Sequence, residues 1–389
     1  METPLIATIS LAILACGVYY LGLRRRNIHL WIGHYLRRKW RLRRAGTPGT
    51  RHVLFCFVDH YEPLVGGTDL EAARRRVNTW VENYPRIADK YRDADGIKPR
   101  HTFFYPEEEY REPLMESLVG LCRKGYGEIE VHIHHDNDTE QGFVEKMSNF
   151  INILSDRFKA LPEWKGRPVF AFIHGNWALD NSRADGRWCG INNEITLLRD
   201  LGCYADFTMP SATSDTQTST VNEIYYVRDD PDRPKSHDTG CPVIAGRKGH
   251  GDLLLIQGPL SLNWKRRKLL VWPRVEDADV TPSDIPLNER VDLWVNEGVH
   301  VTGRPEWLFV KVHTHGAHDH NSDYLFGGAL DELFGYLNDR YNDGDRYRLH
   351  YVSAREMYNI VKAAEDGKQG DPGQYRDYLL KRVFQAPGR

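Results

Sequence analysis

Short apolar runs, each closed by histidine and acidic residues, alternate along this chain with stretches of helical period. That alternation restricts the fold more than any other feature. Residues 53–58 (V-L-F-C-F-V) are continuous, aromatic and β-branched, as in a strand buried on both faces. Residues 68–91 have amphipathic helical spacing, 101–105 form a short strand, and a helix is predicted over about 108–124, stopped by Gly125 and Gly127. A strand over 128–134 precedes a helix over about 141–161. A strand over 169–173 precedes a helix over 192–201, with Gly202 at its cap. Later come strands over 253–256 and 307–313, a helix around 329–337, and a strand near 349–352. Such spacing predicts an α/β domain with a mainly parallel sheet. Residues 211–251, rich in Thr, Asp, Pro and Gly, read as a long excursion over the sheet mouth.

The strand ends carry the chemistry. D-H-Y-E follows the first strand, H-H-D-N-D another, H-G-N-W another, and H-T-H-G comes near the end. In α/β barrels the site gathers at the carboxyl ends of the strands. Four strands delivering His and Asp to one end point to a site there. Within E-I-E-V-H-I-H-H-D, His132 and His134 share a strand face because side chains alternate, and His135 and Asp136 lie where the strand should break. Imidazole and carboxylate are common transition-metal ligands, so this crowding points to a metal. His313 and His315 again place two imidazoles on one side, after an apolar strand.

Composition sets limits. The net charge of −2 excludes a global basic field, and with it a general nucleic-acid binder. Ten Trp and twenty Tyr suit a large core and also stacking on sugar rings. The six cysteines have no C-x-x-C spacing and read as free, mostly buried thiols, with neither a disulfide framework nor a thiolate zinc site.

Residues 5–23 (L-I-A-T-I-S-L-A-I-L-A-C-G-V-Y-Y-L-G-L) contain no charge, the length of a helix that crosses a bilayer. Only M-E-T-P precedes them, without the basic start of a signal peptide, so a retained single-pass anchor is expected. Nine Lys or Arg lie between Arg24 and Arg44 with no acidic residue among them, which places the following domain on the cytoplasmic side, with the periplasm as the alternative. This segment reads either as an amphipathic helix on anionic headgroups or as a solvated linker. The expected layout is an anchor with its basic flank over 1–45, the α/β domain over 50–365, and a polar tail over 366–389.

The order of these clusters resembles that of the polysaccharide deacetylase family with the NodB-type fold, over roughly residues 53–361. F-V-D-H-Y-E-P stands where the family has T-F-D-D-G-P. E-I-E-V-H-I-H-H-D matches its E-I-x-x-H-[ST]-x-x-x-H, with Asp136 in place of the second His. F-I-H-G-N-W-A follows the strand where R-x-P-Y is usual, so His174 replaces the arginine. L-L-R-D-L-G-C-Y-A-D-F-T, L-L-L-I-Q-G-P-L-S and F-V-K-V-H-T-H resemble the later motifs.

The resemblance implies a distorted (β/α) barrel and a metal-dependent amidohydrolase that removes acetyl from an N-acetylated sugar of exopolysaccharide or envelope metabolism. It implies a divalent metal, zinc by default with Co, Ni, Mn or Fe also suited, on His60, His132 and Asp136, with His134 or His135 as substitutes. Asp59 becomes the general base, and His313 or His315 the acid that protonates the departing amine. His174, Asn176 and Trp177 would line the sugar. Two other readings remain. A glycoside hydrolase would use two carboxyl groups, Asp59 with Asp180 or Glu62. A degenerate barrel would bind glycan or scaffold a polysaccharide-assembly complex.

Overall fold

Strand β1 (Arg51–His60) holds the centre of the sheet, and its composition explains why. Alternate side chains serve two separate cores. Val53, Phe55 and Phe57 pack into one, and Leu54, Cys56 and Val58 into the other, so neither face is left for polar residues. The computed structural model describes residues 2–44, 46, 49–269 and 271–384, with the backbone alone at 2–9, 11, 12 and 15.

The chain opens with helices α1 (Glu2–Arg25) and α2 (Ile32–Arg44). After β1 come α3 (Leu70–Ala88), β2 (His101–Pro106), α4 (Glu112–Arg123), β3 (Gly127–Ile133) and α5 (Glu140–Asn152). A small hairpin of β4 (Glu163–Trp164) and β5 (Arg167–Pro168) leads to β6 (Phe170–His174), α6 (Glu194–Leu201), β7 (Cys203–Asp206), β8 (Ile224–Val227), β9 (Cys241–Pro242) and β10 (Leu253–Ile256). A second hairpin, β11 (Ser261–Lys268) and β12 (Trp272–Glu276), is followed by α7 (Leu287–Glu297), β13 (Trp307–Thr314), α8 (Asp319–Tyr324), α9 (Leu330–Tyr341), β14 (Tyr347–Val352) and α10 (Ala354–Glu365).

The main sheet runs β13-β1-β2-β3-β6-β7-β10-β8-β9, with β14 beside the first half of β1. Pairing is parallel from β13 to β10 and antiparallel for β8 and β9. The expected α/β class and mainly parallel sheet are therefore present. Among the described residues the strands do not pair continuously into a closed barrel: one parallel bridge, Ile244 to Thr302, links the β9 side to the segment that leads into β13. Helices α3, α4, α5, α6, α7 and α9 cover one face, and α10 packs on the other.

Several elements depart from the sequence reading. The excursion over 211–251 contains strands β8 and β9. The β11–β12 hairpin, α7 and α10 have no counterpart in that reading. Helix α10 buries Arg355, Glu356, Asn359 and Glu365 along with its apolar residues. Those charges are matched. Arg355 holds Glu128 at 2.8 Å and Asp377 at 2.7 Å, and a Ser353–Glu356 capping box starts the helix. The polar tail expected over 366–389 packs on the domain as far as it is described: Arg376 reaches Asp93 at 2.7 Å and Asp95 at 2.9 Å. No cysteine is paired, and Cys56, Cys122, Cys189 and Cys203 are buried, as expected.

The basic segment after residue 23 is not a free linker. Arg38 is buried and donates to the carbonyls of Glu297 (2.6 Å) and Gly298 (2.7 Å) at the carboxyl end of α7, where the helix dipole favours a cation. Lys39 and Tyr35 reach the Glu297 carboxylate, and Arg41 reaches Glu223. Among the described residues no helix is long and apolar enough to cross a membrane. Much of the expected span over 5–23 consists of side chains outside the described residues, although its backbone lies within α1.

Candidate functional site

Parallel pairing brings the ends of β1, β3, β6 and β13 to one edge of the sheet. Asp59, His60 and Glu62 arrive from β1, and His132, His134 and His135 from β3. His174 comes from β6, and His313 and His315 from β13.

His60, Glu62 and His132 offer one ligand atom each within 4.8 Å of one another, and all three are buried. The tautomer of His132 shows what this centre suits. Its Nδ1 lies 2.7 Å from the carbonyl oxygen of Ile173, an acceptor only, so Nδ1 carries the hydrogen. In the neutral ring Nε2 is then a lone pair, yet it faces the Glu62 carboxylate at 3.4 Å. Two acceptors facing each other in a buried site call for a cation between them, and a carbonyl behind Nδ1 is the usual support of a metal-bound imidazole. The residues therefore fit a divalent ion. Burial resists ionisation of Glu62, but the imidazoles gathered around it, His134 and His318 among them, overcome it and hold the carboxyl well below the usual range.

His134 sits at the rim, with Nδ1 2.6 Å from Glu108 and Nε2 3.3 Å from Glu62. Burial would lower its pKa, but the two carboxylates push it up to about 10. Asp136 is a correction: it is exposed and accepts the Trp188 N–H at 2.6 Å, outside the cluster. The reason is local. Strand β3 stops at Ile133, so the alternation that would carry residues 132, 134 and 136 on one face ends before Asp136. Glu62 takes the place expected of Asp136.

Beside this centre lies a cavity of about 270 Å³, lined by Trp177, Asp277, Asp279, His313, His315 and residues 210–214. The His60 ring stacks on His315 with centroids 4.7 Å apart, so metal centre and cavity adjoin. Among the described residues, Trp177 Nε1, Asp279 Oδ1 and His313 Nδ1 are buried without partners. Unpaired polar atoms on a cavity wall are ready for a polar substrate. Asp277 is pushed up to about 7, first by burial and then by the Asp279 and Glu276 charges. Burial also raises Asp279, and it lowers His313 and His315, which favours neutral imidazoles.

Asp59 is placed differently from its expected role as base. Strand alternation turns it towards the helix layer, where it is fully buried. Oδ2 lies 2.9 Å from His101 Nε2, and Oδ1 accepts the Gly316 N–H at 2.7 Å. A Cβ at Gly316 would come within 2.3 Å of that carboxylate, so the 315–316 turn rests directly on it. Asp59 does not line the cavity. His174 is likewise enclosed rather than open to sugar, with Nε2 against His135 and Glu194. Trp177 does line the cavity, and Asn176 is half-buried outside its lining.

The sequence reading missed Asp277 and Asp279 altogether. Their signal was the acidic spacing in V-E-D-A-D-V; the backbone between them is not extended, because Ala278 takes φ 65°. Comparison with protein-family models and with curated proteins finds no match to this chain.

Proposed function

We propose that this chain is a metal-dependent hydrolase on a distorted barrel that removes acetyl from an N-acetylated sugar or polysaccharide intermediate. One observation carries the reading. A buried His60–Glu62–His132 centre suited to a divalent cation adjoins a cavity whose wall pairs carboxylates with imidazoles. A cation held by these three residues, zinc by default, would polarise the acetamide carbonyl and acidify a water. The ionised Asp279 carboxylate, with Oδ1 free towards the cavity, takes the proton from that water. His315 or His313 donates a proton to the leaving amine. Asp59 fixes the turn that carries His315 through the Gly316 N–H, and Trp177 offers an indole face and a free N–H to the sugar.

A glycoside hydrolase would need two carboxyl groups on opposite sides of the scissile bond. Asp277 and Asp279 approach from one wall, two residues apart in one segment, and the donors around them are imidazoles. Incubating the purified full chain with N-acetyl-sugar oligomers, with and without chelator, tests the proposal. Acetate release that chelation abolishes and added metal restores is the expected result. Glycosidic cleavage instead, or no metal dependence, overturns it.

The same reading keeps the chain on a membrane by residues 5–23, with the domain on the cytoplasmic face. Support comes from the β11–β12 hairpin, where exposed Trp264, Leu269 and Val271 flank Lys265, Arg266, Arg267 and Lys268. Trp272 of this hairpin stacks on Tyr19 of α1, with centroids 4.6 Å apart, so the hairpin lies beside the anchor helix. A reporter active only in the periplasm, fused after residue 389, should stay silent; strong signal would put the domain outside.

A further inference from the structure

We propose a second, structural metal site, distinct from the His60–Glu62–His132 centre and sharing no residue with it. Its ligands are Nε2 of His135, Nε2 of His174, a carboxylate oxygen of Glu194 and Sγ of Cys189, and its donor chemistry selects zinc.

The case rests on where the protons are. His174 Nδ1 lies 2.5 Å from the Gly175 carbonyl, which only accepts, so Nδ1 carries the hydrogen. His135 Nδ1 lies 3.2 Å from Asp138 Oδ2, a carboxylate oxygen that Lys146 also holds at 2.8 Å. In the neutral rings both Nε2 atoms are therefore lone pairs, yet they stand 2.8 Å apart. The Glu194 Oε1 oxygen lies 3.2 Å from one and 3.4 Å from the other. Three acceptors thus converge with no donor among them. Cys189 Sγ closes the group, 3.5 Å from Glu194 Oε2, and it accepts the Asn181 N–H at 3.3 Å. All four side chains are buried, and their ligand atoms lie within 4.8 Å of one another. A tetrahedral zinc with arms of about 2.0–2.3 Å has ligand-to-ligand edges of about 3.3–3.8 Å; the Glu194 separations of 3.2, 3.4 and 3.5 Å lie close to this, and the two imidazoles at 2.8 Å would move apart on binding. Behind each imidazole stands an oxygen on Nδ1, the support that metal-bound histidines use.

A second histidine cluster shows the contrast. His52 Nδ1 and His350 Nε2 are also 2.8 Å apart, but His350 Nδ1 faces Asp95 at 2.9 Å and nothing pins the tautomer of His52. His52 Nδ1–H can donate to His350 Nε2, so that pair is satisfied as an ordinary hydrogen bond. At His135 and His174 neutral rings have no such solution.

The site would clamp three elements. His135 follows β3, His174 ends β6, and Cys189 and Glu194 bracket the start of α6. Between His174 and Cys189 the chain lacks helices or strands beyond short turns, and Asn176, Trp177, Asp180, Asn181 and Trp188 all adopt positive φ. Fixing both ends of this loop holds Trp177 in the cavity wall.

Metal analysis of the full chain in detergent tests the site. About two zinc equivalents per chain are expected, falling to about one in the His60→Ala/His132→Ala variant and likewise in His135→Ala. Cobalt substitution should give a thiolate-to-metal charge-transfer band. That band persists in His60→Ala/His132→Ala, so failure of the first centre alone leaves it in place, and it disappears in Cys189→Ser. If a variant does not fold, the wild-type stoichiometry and band still decide. At most one equivalent, removed by the first-centre variant, with no charge-transfer band, overturns the proposal and leaves an imidazolium proton shared by the two rings.

Discussion

Asp279 and His313 stand as bridge partners at the edge of the sheet. Val280 N–H donates to the His313 carbonyl at 2.7 Å, and His313 N–H donates to the Ala278 carbonyl at 3.0 Å. This register sets Asp279 beside His313, and across the left-handed backbone of Ala278 (φ 65°) Asp277 lines the same cavity as His313 and His315. A segment of little regular structure is thereby aligned by a strand that the core holds rigidly. The cavity gains its carboxylates from that pairing, and from no motif.

Asp279→Asn should reduce turnover by about 10²-fold or more while leaving metal content unchanged, because it removes a proton acceptor and keeps the shape. Asp59→Asn should cost less, since Asp59 acts through the Gly316 turn and not on the substrate. Parallel measurement of kcat and metal content decides between them. If Asp59→Asn is the silent-enzyme variant and Asp279→Asn is nearly normal, the base is Asp59, as the family resemblance implies.

The pH profile follows from the carboxylates. Asp277 is raised to about 7 by burial and by the Asp279 charge, and the repulsion is mutual. Burial raises the Asp279 carboxyl too, so a reaction that needs an ionised Asp279 speeds up as pH rises above the ordinary carboxylate range. Asp277→Asn removes a negative neighbour, so Asp279 ionises at lower pH and the acid limb of kcat against pH moves down. A limb that stays in place, or moves up, would show that the two groups do not share a field.

Much of the sheet was legible because its strands are continuous apolar runs. Residues 253–256 were read to the residue, and 53–58, 128–134 and 307–313 to within a few positions. Those runs end in histidines, so the site's position at the carboxyl edge was legible as well. What the sequence hid is whatever depends on contacts distant along the chain. Asp136 looked like a ligand because the motif spacing pointed to it, but strand β3 ends too early to aim it. Glu62 was visible in D-H-Y-E, yet only folding brings it to His132, 70 positions away. Helix α10 keeps an amphipathic pattern, and what the sequence hid is that its polar residues are buried too, against partners far along the chain such as Glu128.

Glu128 sits at the head of the E-I-x-x-H stretch, and its role is structural. It receives Arg355 Nη2 at 2.8 Å and Nε at 3.1 Å, with Arg355 almost fully enclosed. Glu128→Ala would leave a buried guanidinium short of its main counterion, a loss of about 3–5 kcal/mol for a broken buried pair. The thermal unfolding midpoint should fall by several degrees, and less in Glu128→Gln, which keeps an acceptor. An unchanged midpoint in Glu128→Ala would mean that Asp377 and the Leu380 carbonyl suffice for Arg355.

The β11–β12 hairpin should touch the lipid headgroups. Leu269 at its turn is 84% exposed, an unusual position for a large apolar side chain, and four basic residues precede it. Each Lys or Arg near an anionic surface contributes about 1 kcal/mol, screened by salt. A polarity-sensitive dye on Leu269→Cys reads this directly, with the exposed Cys16 and Cys241 replaced by Ser to keep labelling specific. In the reconstituted full chain, vesicles containing phosphatidylserine should shift the emission to the blue. Neutral vesicles should shift it less, and changing Lys265, Arg266, Arg267 and Lys268 to Ser should weaken the response. Emission as in water on every vesicle would place the hairpin in solvent and leave membrane contact to α1 alone.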